Sequence, residues 1–503
     1  MSAAATGLSR FYLLLAALAL ALFAFANLRS PLVNEDGVLY LVLAERIGNE
    51  GLSSAFALYD RPFYPWLIAA IRAVSGLSLT HSALCLDAAF AVMLALAFTE
   101  FCRLLYGDRG VLPWAALLIL AHPKLNNYFG FIIRDTGYWA LLFVSFCAWL
   151  RHLEDARTRW LLLWAPATLL AAAQRPEALL FGLLLPPVLL LAPRAARGAA
   201  LVRMALAWGL VFGAMALALL AVAALDPGTF EQPMRDANDV PAALWRDIPA
   251  HFLAAADNYA REVLDPHSGD IAALSLAGGL LTILVFKILN GLGPLQCLLL
   301  AHGLWRRGVA PAAANRGAYA AMLAGAALIA AAFIAYRHFL DTRYVMLAAL
   351  LLLAPAARSL QSLAARVSAR GATARAAFFA TALLLPGLDL VLGLDRPKPY
   401  LNECALWLRA NLPPGSPVFG NDKQLAWSSA ARWDYQTTHD ANLLIAQQRV
   451  PLAGNAYWII HVKRGQDELA RQLQPYRALL TPLHRCEDAR GNVVEILAQA
   501  PAP

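Results

Sequence analysis

Charge is the scarcest property of this 503-residue chain: 15% of it is Asp, Glu, Lys or Arg, where soluble domains carry about 25%. With 60% hydrophobic residues, that shortage excludes an ordinary water-soluble globule. Short alternating apolar–polar segments are also lacking, which excludes a membrane β-barrel. The six cysteines form no CxxC pair and no Cys/His spacing of a zinc site. There is no internal repeat and no Asp-x-Asp pair of the kind that holds a metal in nucleotide-sugar sites. What the chain does have is apolar runs near 20 residues, recurring from the N-terminus to about Leu394. Each matches the roughly 30 Å hydrocarbon thickness of a bilayer. The expected fold class is an all-α polytopic membrane protein.

About eleven spans are expected, at 11–28, 82–102, 110–122, 132–150, 160–173, 177–192, 204–225, 271–300, 317–336, 343–357 and 376–394. Alternate connections between them collect sixteen arginines, among them Arg103, Arg151, Arg197, Arg306 and Arg358. The positive-inside rule makes that set cytoplasmic, with the N-terminus inside and the C-terminus outside. The opposite face then carries the first loop (29–81), short turns near 123–131, 174–177 and 337–342, a loop at 226–270, and everything after Asp395. The 226–270 loop holds nine acidic residues against three arginines, the reverse of the cytoplasmic loops. The net charge of +8 therefore reflects orientation in a membrane and argues against a nucleic-acid partner.

The first run ends in "AFAN", which resembles a signal-peptide cleavage site; an uncleaved first span fits better. Residues 1–394 form the expected transmembrane domain and 395–503 a small extracytoplasmic α/β domain. In the latter, "LNECALWLRANLPPGSPVFGND" reads as a helix stopped by Pro413–Pro414–Gly415, then a short extended segment. "YWIIHV", "LLTPLHRC" and "NVVEILA" read as strands and "GQDELARQLQPYRALL" as a helix. Cys404 and Cys486 could pair if this region is extracytoplasmic. Cys85, Cys102, Cys147 and Cys297 lie in apolar segments, as packing residues do.

Most of the unusual polar residues fall on the extracytoplasmic side. In "VNEDGVLYLVLAERI", Asn34 reads as a helix cap with Glu35 and Asp36 at the positive end of the dipole. Asp36, Tyr40, Ala44 and Ile47 share one face, giving an amphipathic helix on the membrane with an acid at its start. "ALYDRPFYPWLIAAI" supplies Arg61 and Tyr64, either a snorkelling arginine in an aromatic belt or a phosphate contact. "FIIRDTGYW" places Arg134 and Asp135 at the start of a span, and "AAQRPEAL" places Arg175 and Glu177 in a short turn. "AYRHFLDTRYVML" sets Arg337, His338, Asp341, Arg343 and Tyr344 between two spans. Asp87 lies inside the second span, where helix–helix hydrogen bonding is the simpler role. Each motif alone could be a self-satisfied ion pair. Their convergence on one side of the bilayer suits a phosphate attached to a membrane lipid, since soluble anions need no such scaffold.

The order of these motifs resembles that of the GT-C-type membrane glycosyltransferases that use polyprenyl-phosphate sugars, which include protein O-mannosyltransferases and the lipid A aminoarabinose transferase. The shared pattern is a span, an acid followed by Tyr, "Arg-Pro-x-Tyr-Pro" at Arg61, an Arg/Asp turn at Arg134–Asp135, and "Arg-Tyr" at Arg343–Tyr344. Two departures stand out: Glu35–Asp36–Gly37 replaces the usual Asp-Glu, and Phe63 takes the place of a second proline. Either Glu35 or Asp36 could be the working acid; Asp36 is chosen because it shares a face with Tyr40 and precedes Gly-x-x-Tyr. The resemblance implies inverting sugar transfer from a polyprenyl-phosphate donor to a glycolipid, polysaccharide or protein acceptor in a bacterial inner membrane. Asp36 would be the catalytic base. Glu35, Tyr40, Arg61, Tyr64, Arg134, Asp135, Arg175, Glu177, Arg337, His338, Arg343 and Tyr344 would bind substrate, with no cofactor and no obligatory metal. Two other classes remain open: a lipid-linked-sugar flippase or transporter, which the Leu/Ala-rich middles of the spans disfavour, and a non-catalytic envelope assembly protein.

Overall fold

A computed structural model describes residues 3–29, 32–56, 58–191, 197–225, 246–377, 380–381, 398–450 and 456–499. Six of its helices are long and apolar enough to cross a membrane: Gly7–Leu28, Leu79–Tyr106, Arg197–Leu217, His267–Leu292, Ala313–Arg337 and Thr342–Ser368. The chain is a multi-pass membrane protein. Large apolar side chains such as Leu13 (70% exposed) and Phe286 (64%) stand on the bundle's outside, where only lipid would cover them.

The core is centred on helix Arg134–Asp155, which packs between helices Leu79–Tyr106 and Thr158–Gln174. Its Phe143 meets Phe101 edge-on at 5.2 Å, and its Trp149 lies 5.0 Å from Trp164. This helix is buried on nearly every side, including Asp135 and His152. Helix Leu79–Tyr106 starts where the Ser78 side chain accepts from His81 N and stops at Gly107 in the left-handed region. Asp87, on this helix, accepts hydrogen bonds from Tyr64 Oη at 2.8 Å to both oxygens, tying it to helix Phe63–Ser75.

Three expectations about the spans change. The 271–300 run is two helices, Ala272–Leu292 and Pro294–Trp305, because Gly293 takes φ +94° and Pro294 cannot continue the first. The turn near 123–131 contains a helix, Pro123–Phe129. The 177–192 run is a broken series of short helical pieces between Pro176 and Leu191. Most of the expected 376–394 span, and the first part of the 226–270 loop, lie outside the described residues.

The C-terminal region carries a four-stranded sheet in the order β1 (Val418–Gly420), β2 (Tyr457–Val462), β4 (Val493–Gln499), β3 (Leu480–Glu487). β1 pairs parallel with β2, and the other pairs are antiparallel. Helix Pro399–Asn411 covers one face through Leu401, Cys404 and Leu408. Cys404 and Cys486 are disulfide-bonded. The region docks on the membrane bundle: Leu32 packs into its core, and its Trp427 packs against the bundle core.

Candidate active site

The site begins at the N-terminus of helix Glu35–Glu50. Asn34 does not cap this helix with its side chain. Its Oδ1 accepts from Ile132 N at 2.8 Å and its Nδ2 donates to Ile132 O at 3.4 Å, stapling two distant connections together. Gly37 permits this: a Cβ there would stand 2.7 Å from Asn34 Oδ1, 2.8 Å from Val33 Cγ1 and 3.0 Å from Ile132 Cβ. The third residue of Glu35–Asp36–Gly37 is thus pressed into the fold while Glu35 and Asp36 face outward. The apolar face of this helix is turned into the protein. Its Val38, Tyr40, Leu41 and Ala44 are buried, and it packs on helix Phe63–Ser75.

Asp36 Oδ2 accepts a hydrogen bond from Arg343 Nη1, across 307 positions of sequence. Arg343 opens helix Thr342–Ser368, where the Asp341 side chain caps its backbone N–H at 2.9 Å. Its Nη2 also donates to Tyr344 Oη at 3.1 Å. The two side chains are 30% and 42% exposed, so the pair is open to an incoming molecule. Beside it lies a cavity of about 420 Å³, lined by Asn34, Glu35, Asp36, Lys124, Asp341 and Arg343. Asn127 and Tyr128 line it further. Lys124 and Asn127 were not picked out from sequence. The polar cluster in "HPKLNNYF", between two apolar runs, was the available signal.

A buried layer lies behind the pair. Arg175, 7% exposed, donates to Asp135 and reaches Glu177 at 3.5 Å. The Tyr344 ring lies between the two arginines, 4.9 Å from the Arg175 guanidinium and 5.0 Å from that of Arg343. The Arg134 guanidinium sits 5.5 Å from the Tyr59 ring, and its Nη1 is buried without a hydrogen-bond partner, as is Glu177 Oε2.

Other expected residues are placed elsewhere. Arg61 precedes helix Phe63–Ser75 with its side chain 40% exposed and paired with its neighbour Asp60. Tyr64 is fully buried on Asp87 and Tyr40 packs edge-on against it at 5.0 Å, so both are core residues and neither borders the cavity. Arg337 lines a separate cavity with Asp247 and His251, and His338 stacks on His251 at 5.0 Å. Helix Ala313–Arg337 ends at His338, so these two precede the turn that leads to Arg343. Glu403, His484 and Cys486 lie close enough together to hold a metal. The Cys486 sulfur is in the disulfide, so no thiolate is offered there.

With this geometry in view, likeness to solved structures becomes informative. No family model matches the sequence, and no curated protein matches it. ArnT from Cupriavidus metallidurans bound to undecaprenyl phosphate superposes with a TM-score of 0.54 at 14% identity, over 96% of this chain and 97% of that one. The Archaeoglobus fulgidus oligosaccharyltransferase, in complex with zinc and sulfate, superposes at 0.52 and 14% identity, over 90% of this chain and 67% of that one. The chain has the GT-C fold. In that frame Asp36 stands in the first connection after a span, and the C-terminal region reaches its neighbour Glu35 through Lys463.

Proposed function

We propose that this protein is an inverting glycosyltransferase, moving a sugar from a polyprenyl-phosphate carrier to an envelope acceptor at the extracytoplasmic face of a bacterial inner membrane. One observation carries the reading: a half-exposed carboxylate, Asp36, and a guanidinium, Arg343, share the wall of one cavity at an end of the helix bundle. The fold is one in which a solved member, ArnT, binds undecaprenyl phosphate.

Asp36 acts as general base, taking the acceptor proton as the acceptor oxygen or nitrogen attacks the anomeric carbon. Such help is worth about 10²–10⁴ in rate. The phosphate leaves already charged, so no second carboxylic acid is needed, unlike hydrolytic glycosidases. Arg343 and Lys124, both on the cavity wall, neutralise the departing phosphate, with Arg134 and Arg175 behind them. Arg343 links the two tasks. In the resting site it neutralises Asp36; an arriving phosphate competes for it and releases the carboxylate as a base. Positive charge from these side chains takes the place of an obligatory metal in this scheme.

The test uses the purified protein in detergent with a polyprenyl-phosphate-linked sugar, after mass spectrometry of envelope glycans with and without the protein has identified sugar and acceptor. A new glycosidic bond, with inverted anomeric configuration, is the expected result. Movement of the lipid-linked sugar across vesicles with no new bond would replace the enzyme by a flippase.

A further inference from the structure

The C-terminal region reaches the candidate site through polar side chains as well as through its apolar docking. Gln424 Nε2 donates to Val33 O at 2.7 Å, just before the acids. Lys463 Nζ stands 3.9 Å from Glu35 Oε1. Lys423 directly precedes Gln424 at the start of helix Lys423–Ser428. Its backbone is fixed from below: Asp422 caps the helix at Leu425 N (3.0 Å) and bonds His461 Nδ1 at 2.7 Å, while His461 Nε2 lies 3.1 Å from Tyr400 Oη. Burial pushes the Asp422 carboxyl up, but the hydrogen bond and charge of His461, the Leu425 N–H and the Lys463 charge together outweigh it and hold the carboxyl below its ordinary value.

The Lys423 ammonium is clamped from one side. It donates to Tyr435 Oη at 3.2 Å and to His439 Nδ1 at 2.8 Å, and it lies 4.8 Å from the Tyr435 ring centre. Those two bonds leave one of its three N–H groups unused. Among the described residues no carboxylate lies within ion-pair distance of it, yet it stands in the field of Glu35 and Asp36. Burial lowers its pKa below the ordinary lysine value, and Glu35, Asp36 and Asp440 offset that only in part. A half-buried cation with an unused donor, facing two cavity-lining acids without touching either, has the placement of a ligand-binding group.

We propose that Lys423 is a substrate-binding residue of the membrane site, its remaining N–H donating to a lipid-borne phosphate oxygen seated in the Asp36 cavity. The docked C-terminal region then completes the site, with Tyr435 and His439 positioning the ammonium. This rests on the glycosyltransferase reading only in taking a lipid phosphate as ligand. Two sources of that phosphate exist, the polyprenyl carrier and a phosphate-bearing acceptor lipid.

The experiment measures binding to the full-length protein in detergent by native mass spectrometry. The probes are undecaprenyl phosphate, neutral undecaprenol and dioleoyl phosphatidic acid, tested on wild type, Lys423→Met and Lys423→Arg. An intact Cys404–Cys486 bridge and an unchanged melting temperature certify the fold of each variant. The expected result is at least a tenfold weaker Kd for undecaprenyl phosphate in Lys423→Met, none for undecaprenol, and recovery to within threefold in Lys423→Arg. A tenfold loss confined to phosphatidic acid supports the proposal equally and assigns Lys423 to the acceptor side. Unchanged affinity for both phosphates, with wild type binding either one, overturns the proposal and leaves the glycosyltransferase reading standing. If wild type binds neither phosphate, both fall.

Discussion

The two ends of the helix bundle both hold arginine–carboxylate clusters, but they are built differently. At the arginine-rich end, Glu100 accepts from Arg103 (2.6 and 2.7 Å), from Arg151 (2.8 Å) and from Tyr12 (2.7 Å). Asp108 accepts from Arg358, from Gln361 (2.9 Å) and from Gly110 N (2.8 Å). Every carboxylate oxygen in those two groups has a donor. At the other end Asp36 receives one guanidinium, while Arg134 Nη1 and Glu177 Oε2 are buried and unmatched. Buried polar atoms are nearly always satisfied in finished structures, so the exceptions call for an explanation. The saturated clusters clasp helices together. Both ends border a cavity, about 1080 Å³ beside Glu100, Arg103 and Arg151 and about 420 Å³ beside Asp36, but the cluster behind Asp36 is the one with guanidinium and carboxylate atoms left for a ligand.

The largest expected effect tests that contrast directly. Asp36→Asn keeps the shape of the side chain and removes the base; kcat for sugar transfer should fall by about 10²–10⁴ with the melting temperature kept. Glu100→Gln should do the opposite. It weakens the clasp on Arg103 and Arg151, costs on the order of 1–3 kcal/mol of stability, and leaves kcat within twofold. Steady-state kinetics and thermal melts on the same preparations separate the two. Comparable kcat losses in both variants would erase the distinction between clasp and site.

The next effect concerns the docked region. The Cys404–Cys486 bridge spans 82 positions and joins helix Pro399–Asn411 to strand β3. Replacing both cysteines by serine should cost roughly 2–5 kcal/mol, confined to this region. Hydrogen exchange should speed up in β2 and β4 while helix Arg134–Asp155 keeps its protection. Equal loss of protection in that helix would mean that the two regions unfold as one unit, and the idea of a separate cover over the site would fail.

How much of this was legible in sequence follows from the range of each signal. Span-length apolar runs are local: the six helices long and apolar enough to cross a membrane fall on expected runs, while Gly293–Pro294 splits the 271–300 run and the 177–192 run breaks into short pieces. The strands of the C-terminal region were also legible from their β-rich composition and turns. The Asp36–Arg343 contact spans the whole bundle, so the motifs could suggest it only by sharing a side of the membrane. Arg61 shows the limit of that logic: it lies on the right stretch but points outward, because side-chain direction depends on how helix Phe63–Ser75 packs. Asn34 looked like a cap from local rules, yet its partner is Ile132, 98 positions away. Lys423 carries no signal at all, since only docking of the C-terminal region brings it near Glu35 and Asp36.

The smallest effect sharpens the comparison at the level of one methyl group. Gly37→Ala would put a Cβ against Asn34 Oδ1, Val33 Cγ1 and Ile132 Cβ. None of these can swing away freely: Asn34 is held by two bonds to Ile132, and the other two atoms are branched side chains close to the backbone. Overpacking of this kind costs about 1–3 kcal/mol. It also moves the residue next to Asp36, and a misplacement near 1 Å costs up to about 10² in rate; a tenfold lower kcat is the expected outcome. Gly110 at the arginine-rich end is the matched control. A Cβ there would lie 2.6 Å from Gln361 Nε2, the tip of a longer side chain that can swing aside by giving up its bond to Asp108. Gly110→Ala should therefore cost about 1 kcal/mol of stability through that hydrogen bond and leave kcat alone. If the two alanines lowered kcat alike, tight packing under Asp36 would have no special bearing on catalysis, and the staple from Asn34 to Ile132 would be structural only.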